Sequence, residues 1–324
     1  MRKARILLIS ILLVACQEDN PPSAESSEWV RHPQNPIFRD SISSESYEAA
    51  SDPHVFFDNQ SQLWMIYSGD PDENPGTIGI KLAKGNDWDE WEEHTSLLFE
   101  TGPSGLDISK ETPFYRYSSD GKHQIYYIAY PDEDTYASQI YLAESDNLAG
   151  PYVQYEEPVV SLGPIAGREV EVITSPSVVE HEGLLYLLFL GWDSFANVSE
   201  VWVLGATSED DGRTWSNFEE VNVPIGMEGQ VTKAPDGTFC SVRTGEFEGV
   251  ESIFYATADH PFGPWREDDT PLIIKQGAPW EVDEAIAPQI TFDPASGQPV
   301  LYYTGADQQN GWWIMLATET GWIE

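Results

Sequence analysis

From residue 48 onward the chain alternates short apolar runs with polar turns, and no long stretch keeps the 3.6-residue helical period. Three segments make the pattern plain: SDPHVFFDNQSQLWMIYSG (51–69), ETPFYRYSSDGKHQIYYIAY (111–130) and TSPSVVEHEGLLYLLFLGW (174–192). MEGQVTKAPDGTFCSVRTG (227–245) and IAPQITFDPASGQPVLYYTG (286–305) repeat it. Each reads as a strand, a turn rich in Asp, Gly or Ser, and an apolar strand, which predicts a hairpin. A third apolar strand follows in every copy: TIGIKLAKG, SQIYLAESD, VWVLGATSED, SIFYATADH and WWIMLATET. In four copies an aromatic residue then opens a fourth strand: WEEHTSLLFE, YVQYEEPVVS, WSNFEEVNVP and WREDDTPLII.

Four strands repeated every roughly fifty to sixty residues predict the blades of a β-propeller. The expected fold is all-β, with five blades of four antiparallel strands. The fifth copy runs out at GWIE (321–324), too short for an outer strand. WVRHPQNPIF (29–38) has the tryptophan start and apolar finish of the other fourth strands, so it is expected to close the ring by completing blade five. SEDDGRTW (208–215) fits the S-x-D-x-G-x-T-W box of propeller turns, a structural motif with no chemistry of its own.

The N-terminus breaks the pattern. MRKARILLISILLVA (1–15) has a basic start and a short apolar run, which reads as an export signal. LVAC (13–16) resembles the bacterial lipobox, and this predicts a lipid on Cys16 and a polar tether over 16–28. The folded domain is then 29–324, anchored at the bacterial cell envelope. Gln17 is not the aspartate that retains some lipoproteins at the inner membrane, so the outer membrane is the expected site. Cys240 remains as the sole cysteine of the domain, and no intramolecular disulfide is possible.

The net charge of −39 excludes most nucleic-acid and anionic-lipid partners, because such a surface repels phosphate. Contact with the membrane is expected only through the anchor, and the domain is expected to be a monomer.

In a propeller the innermost strand of every blade starts near one end of the axis, so the residues opening those strands share a funnel. Aligned on their first core position, the five repeats place Asp52, Thr112, Ser175, Glu228 and Ala287 there. Asp-Pro is also an ordinary turn dipeptide, but two funnel carboxyls from separated blades, Asp52 and Glu228, suit acid–base work across a scissile bond. Trp280 and Trp192 offer flat faces for a sugar ring, with packing an equal reading for both. Arg168, Lys233, Arg243 and Arg116 are the basic residues expected nearest the funnel, and His54 is expected to point into the channel.

DPHV opening blade one, EGQV opening blade four, and SDNLAGPY and ADHPFGPW after third strands resemble the five-bladed glycoside hydrolases, most closely family 43, over about residues 29–324. The resemblance implies a glycosidase acting on a carbohydrate substrate with inversion, with Asp52 as general base and Glu228 as general acid. The family's third carboxylate, an aspartate in blade three that tunes the acid, is replaced here by Ser175. Glu111, Glu171 and Glu284, each near the start of an inner strand, are candidate substitutes. Family members often hold calcium or a water cluster through a histidine in blade five. The C-terminal repeat has none, so neither metal nor cofactor is expected. The missing blade-three aspartate keeps open an alternative: a non-catalytic glycan-binding surface lipoprotein with the same fold.

Overall fold

The structure, a computed structural model, describes residues 28–39, 48–69, 78–95, 97–98, 109–130, 137–224, 226, 228–276, 279–307 and 311–320. The signal, Cys16 and nearly all of the tether lie outside the described residues. Five antiparallel blades follow one another in chain order. Blade one is built from Glu48–Phe57, Leu63–Gly69, Gly79–Gly85 and Trp91–Thr95, and blade two from Lys110–Tyr117, His123–Ala129, Gln139–Ser145 and Val153–Gln154. Blade three comprises Val172–His181, Leu184–Trp192, Val201–Ser208 and Ser216–Glu220. Blade four comprises Gly229–Lys233, Phe239–Phe247, Val250–Ala258 and the pair Arg266–Glu267 and Ile273–Ile274. Glu284–Phe292, Pro299–Asp307 and Gly311–Glu319 begin blade five.

Trp29–Arg31 completes blade five, pairing antiparallel with the third strand in the register Trp29↔Glu319, Val30↔Thr318 and Arg31↔Ala317. A further bridge joins Phe38 to Ile314, so the N-terminal segment closes the ring as its tryptophan start implied. A salt bridge locks this closure. The Arg31 guanidinium donates to both oxygens of the fully buried Glu281, at 2.7 and 2.8 Å, and to the Ile274 carbonyl at 2.7 Å. Tyr303 donates its hydroxyl to the same carboxylate.

Both faces of every blade are covered by a neighbour, so the middle strands are apolar almost throughout instead of alternating. Leu63–Gly69, for example, is buried at every position but Trp64. A separate core fills each blade-to-blade interface: Ile66, Leu82 and Tyr127 between blades one and two, Leu142, Phe189 and Trp202 between two and three. Leu188, Val203 and Phe239 pack between three and four, Ile253, Tyr303 and Met315 between four and five, and Tyr67, Tyr302 and Leu316 between five and one.

The box at 208–215 joins blade three to blade two. Ser208 and Thr214 donate to Asp210 and pin the turn, while Asp211 accepts from Arg116 at 2.7 Å and from Ser119. Gly212 has φ +84°, and a Cβ there would lie 1.9 Å from the Tyr126 hydroxyl, so only glycine fits this contact. The outer strands are shorter than their sequence runs suggest. In YVQYEEPVVS only Val153–Gln154 pairs as a strand, with one bridge at Val160, because Pro158 has no N–H to give the ladder. An additional hairpin, Gly163–Ile165 with Arg168–Val170, precedes blade three.

Candidate active site

Four inner strands carry the same backbone device. Asp52, Thr112, Ser175 and Ala287 have φ of 50°, 49°, 53° and 48°, and each is followed by proline. At each one the pairing register slips, between Ser51/His54, Glu111/Phe114, Thr174/Ser177 and Ile286/Gln289. Proline lacks the N–H a ladder needs, so the two-residue step bulges out. For Thr112, β-branched and left-handed, such a backbone is costly, on the order of 1–3 kcal/mol. Hydroxyls of the preceding blade hold two of these turns: Thr304 accepts the Asp52 N–H and Ser68 the Thr112 N–H, both at 3.1 Å.

Blade four departs from this plan. Glu228 is followed by glycine, its carbonyl accepts the Thr244 N–H at 2.8 Å, and no bulge interrupts the pairing that starts at Gly229. A Cβ on Gly229 would lie 2.2 Å from the Val242 carbonyl, so glycine is required for the strand to approach this closely.

Asp52, Glu111 and Glu228 come together with charges that influence one another. Burial raises the Asp52 carboxyl above its usual range, against hydrogen bonds from Ser68, Ser51 and the Thr112 backbone that favour the anion. Glu228 is pushed well above its usual range, first by burial and then by the charges of Asp52, Glu111, Glu284 and Glu251. Its Oε2 is enclosed and has no hydrogen-bond partner. Glu111 rises to about 8, through burial and the Asp52 charge, while the Tyr130 hydroxyl donates to it at 3.1 Å. The donors around Asp52 thus work toward its anion, whereas Glu228, whose Oε2 has no donor and which faces the charge of Asp52, is pushed toward its protonated form.

The other expected site residues divide. Ser175 and Ser177 line, with Glu228 and Arg243, a cavity of about 40 Å³, room for a water molecule or two beside the acid. Glu284 acts on Glu228 through its charge, whereas Glu171 is exposed and is not among the groups that shift Glu228. Arg243 is ion-paired to Glu267 and lies over Phe254. Arg168 is bound to Glu220 at 2.8 Å, beside the outer strand of blade three. Arg116 holds Asp211, and Lys233 donates to the Glu180 carbonyl, both near the far ends of inner strands, away from the funnel.

His54 spans the channel to Gln230, Nδ1 to Oε1 at 2.8 Å, and burial lowers its pKa to about 4, so the ring is neutral. Among the described residues no three His, Cys, Asp or Glu side chains are grouped to hold a metal ion. Trp280 packs between blades four and five, and Trp192 between three and four, each half-buried. Sequence reasoning missed Tyr130, Ser51, Ser68 and Glu251. Of these, only Tyr130 left a signal, since it closes the same repeat that Glu111 opens.

The Glu111 shift has a measurable consequence. The folded chain keeps a proton that the unfolded chain releases near pH 4.5, so this stabilisation is complete below pH 4.5 and is lost as pH rises through about 8. His54 acts oppositely and only below its ordinary value of 6.5, where the folded ring resists protonation. Between pH 6.5 and 8.5 the melting temperature is therefore expected to fall, and to fall less in Glu111→Gln. Equal falls in thermal scans of both proteins would remove Glu111 from the titrating set.

No protein-family model matches the chain, and no curated protein matches it. Solved structures do. A thermostable family-43 glycoside hydrolase is 14% identical, with a TM-score of 0.61, over 83% of this chain and 88% of its own. The α-L-arabinofuranosidase PaAbf62A from Podospora anserina, solved with cellotriose, is 13% identical with a TM-score of 0.66, over 91% and 97%. An N-acetylgalactosamine deacetylase from F. plautii, solved with blood group B trisaccharide, is 13% identical with a TM-score of 0.64, over 87% and 92%. The chain thus shares its five-bladed fold with family-43 glycoside hydrolases at low identity. That fold serves more than one reaction, so function has to be argued from the site.

Proposed function

We propose that the protein is a glycoside hydrolase that cleaves a glycosidic bond of an oligo- or polysaccharide with inversion. The observation that carries this reading is the convergence of Asp52 and Glu228, one carboxyl ringed by hydrogen-bond donors and the other enclosed without one and facing the first one's charge. Glu228 gives its proton to the leaving oxygen as the bond from the anomeric carbon breaks. Asp52 takes a proton from the water whose oxygen bonds that carbon from the opposite face. One water is consumed, and solvent returns the proton from Asp52 to Glu228. Glu111, held by Tyr130, supplies the third carboxyl from blade two where family 43 uses blade three.

The test is a screen of the purified protein against aryl-glycosides and plant and algal polysaccharides, followed by NMR of the first product formed. The expected product has the anomeric configuration opposite to the substrate's. A retained configuration would overturn inversion, and binding without any product would favour the glycan-binding alternative.

A further inference from the structure

The rim of blade three carries a feature that acid–base chemistry does not use. Trp192 and Phe195 lie nearly parallel, 11° between planes and 6.4 Å between centroids. Phe195 is 45% exposed, on the turn that joins the second and third strands. That turn is fixed: Asp193 accepts the Ser199 and Glu200 N–H groups, each at 3.0 Å, and the Ser199 hydroxyl. These bonds hold the Asp193 carboxyl down at about 2. The indole N–H of Trp192 is enclosed, so what the ring shows to solvent is carbon.

Register places this pair relative to the funnel. Trp192 pairs with Val172, three residues before Ser175 on the inner strand. At about 3.3 Å per residue the aromatic pair stands roughly 10 Å above the funnel position of blade three. A chain whose scissile bond lies at Asp52 and Glu228 and which leaves the funnel over blade three would pass this pair. The surroundings also select by charge. Asp193 and Glu200 flank the pair, Asp52, Glu111, Glu228, Glu284 and Glu251 crowd the funnel, and Arg243 is already paired with Glu267.

We propose that Trp192 and Phe195 form a stacking platform for a second, uncharged sugar residue of the substrate. The platform makes this a site for neutral glycans, not for polyuronates or sulfated chains. It rests on the glycosidase reading for its position beside the reacting bond, and flat apolar carbon against the C–H face of a sugar supplies the attraction.

The test is affinity electrophoresis of full-length Asp52→Asn protein through gels containing arabinan, arabinoxylan, galactan or polygalacturonate, beside aryl-glycoside assays of the unaltered protein. At least one neutral polysaccharide should retard the protein, and polygalacturonate should not. Adding Phe195→Ala should weaken retardation on the order of tenfold, while Phe195→Trp should preserve it. Tyr117→Ala, an exposed aromatic at the far end of the blade-two inner strand, should leave it unchanged. Retardation only by polygalacturonate, or equal retardation with and without Phe195, overturns the platform. Hydrolysis of aryl-glycosides with no retardation overturns the platform alone. Retardation sensitive to Phe195 in a protein that hydrolyses nothing supports the platform and overturns the catalytic reading. With neither hydrolysis nor retardation, both fail.

Discussion

Asp52→Asn and Glu228→Gln are each expected to lower turnover on the order of 10²-fold or more, with little change in melting temperature. Both substitutions keep side-chain size and remove the ability to exchange a proton. The two variants should differ in pattern. Glu228→Gln should suffer least with a good leaving group such as dinitrophenolate, which departs without a proton, whereas Asp52→Asn should suffer equally on all leaving groups. The pH profile of kcat/KM should lose its acid limb in Asp52→Asn, because that limb reports ionisation of the base. It should lose its alkaline limb in Glu228→Gln, because that limb reports loss of the proton on the acid. If either variant hydrolyses a confirmed substrate at the unaltered rate, its residue is only a polar opening of a strand.

The largest stability effect is expected far from this chemistry. Glu281→Ala removes the carboxylate that receives the Arg31 guanidinium, while most of the Arg31 side chain stays covered between blades four and five. Breaking a buried pair from one side costs about 3–5 kcal/mol where the surviving charge is left without water or partner; Arg31 is 20% exposed and keeps the Ile274 carbonyl, which puts this pair at the low end, about 3 kcal/mol. For a domain of this size that is a fall in melting temperature of roughly 5 °C. Tyr303 loses its acceptor in the same substitution. Calorimetry of the purified protein checks this, and a Glu281→Ala melting point within a degree or two of the parent would show that closure does not depend on the pair. Deleting 29–38 should be at least as damaging, since it bares the edge of the third strand of blade five, Gly311–Glu319, to other chains.

The blade plan is legible because it is written in local periodicity, five times over. The closing strand is legible for the same reason, since Trp29 and Phe38 match the start and finish of other outer strands. The alignment that selects Asp52, Thr112, Ser175 and Ala287 in effect reads the proline that follows each, and their shared φ near 50° is the structural counterpart. Glu228 is found without that proline, through position and residue type. What stays hidden is interaction between blades. Ser68 belongs to blade one by sequence, yet it supports both Asp52 and the Thr112 backbone of blade two. Glu111 cannot be preferred over Glu171 by sequence, because each lies near the start of an inner strand, and only the fold buries one and exposes the other. Arg116 and Lys233 depart from their expected place for a related reason: an inner strand carries its later residues the full depth of the ring, away from the funnel.

The pairing of Trp29–Arg31 with Gly311–Glu319 also sets an order in time. The first strand of the domain to leave the ribosome has its partner in the last. At roughly 5–20 residues per second, the interval between them is about 15–60 s. Blades one to four can assemble during that wait, since each is complete within its own stretch of chain. The strand that carries Arg31 can pair only after Gly311–Glu319 has been made, so the passage from an open arc to a closed circle is expected to be the last step.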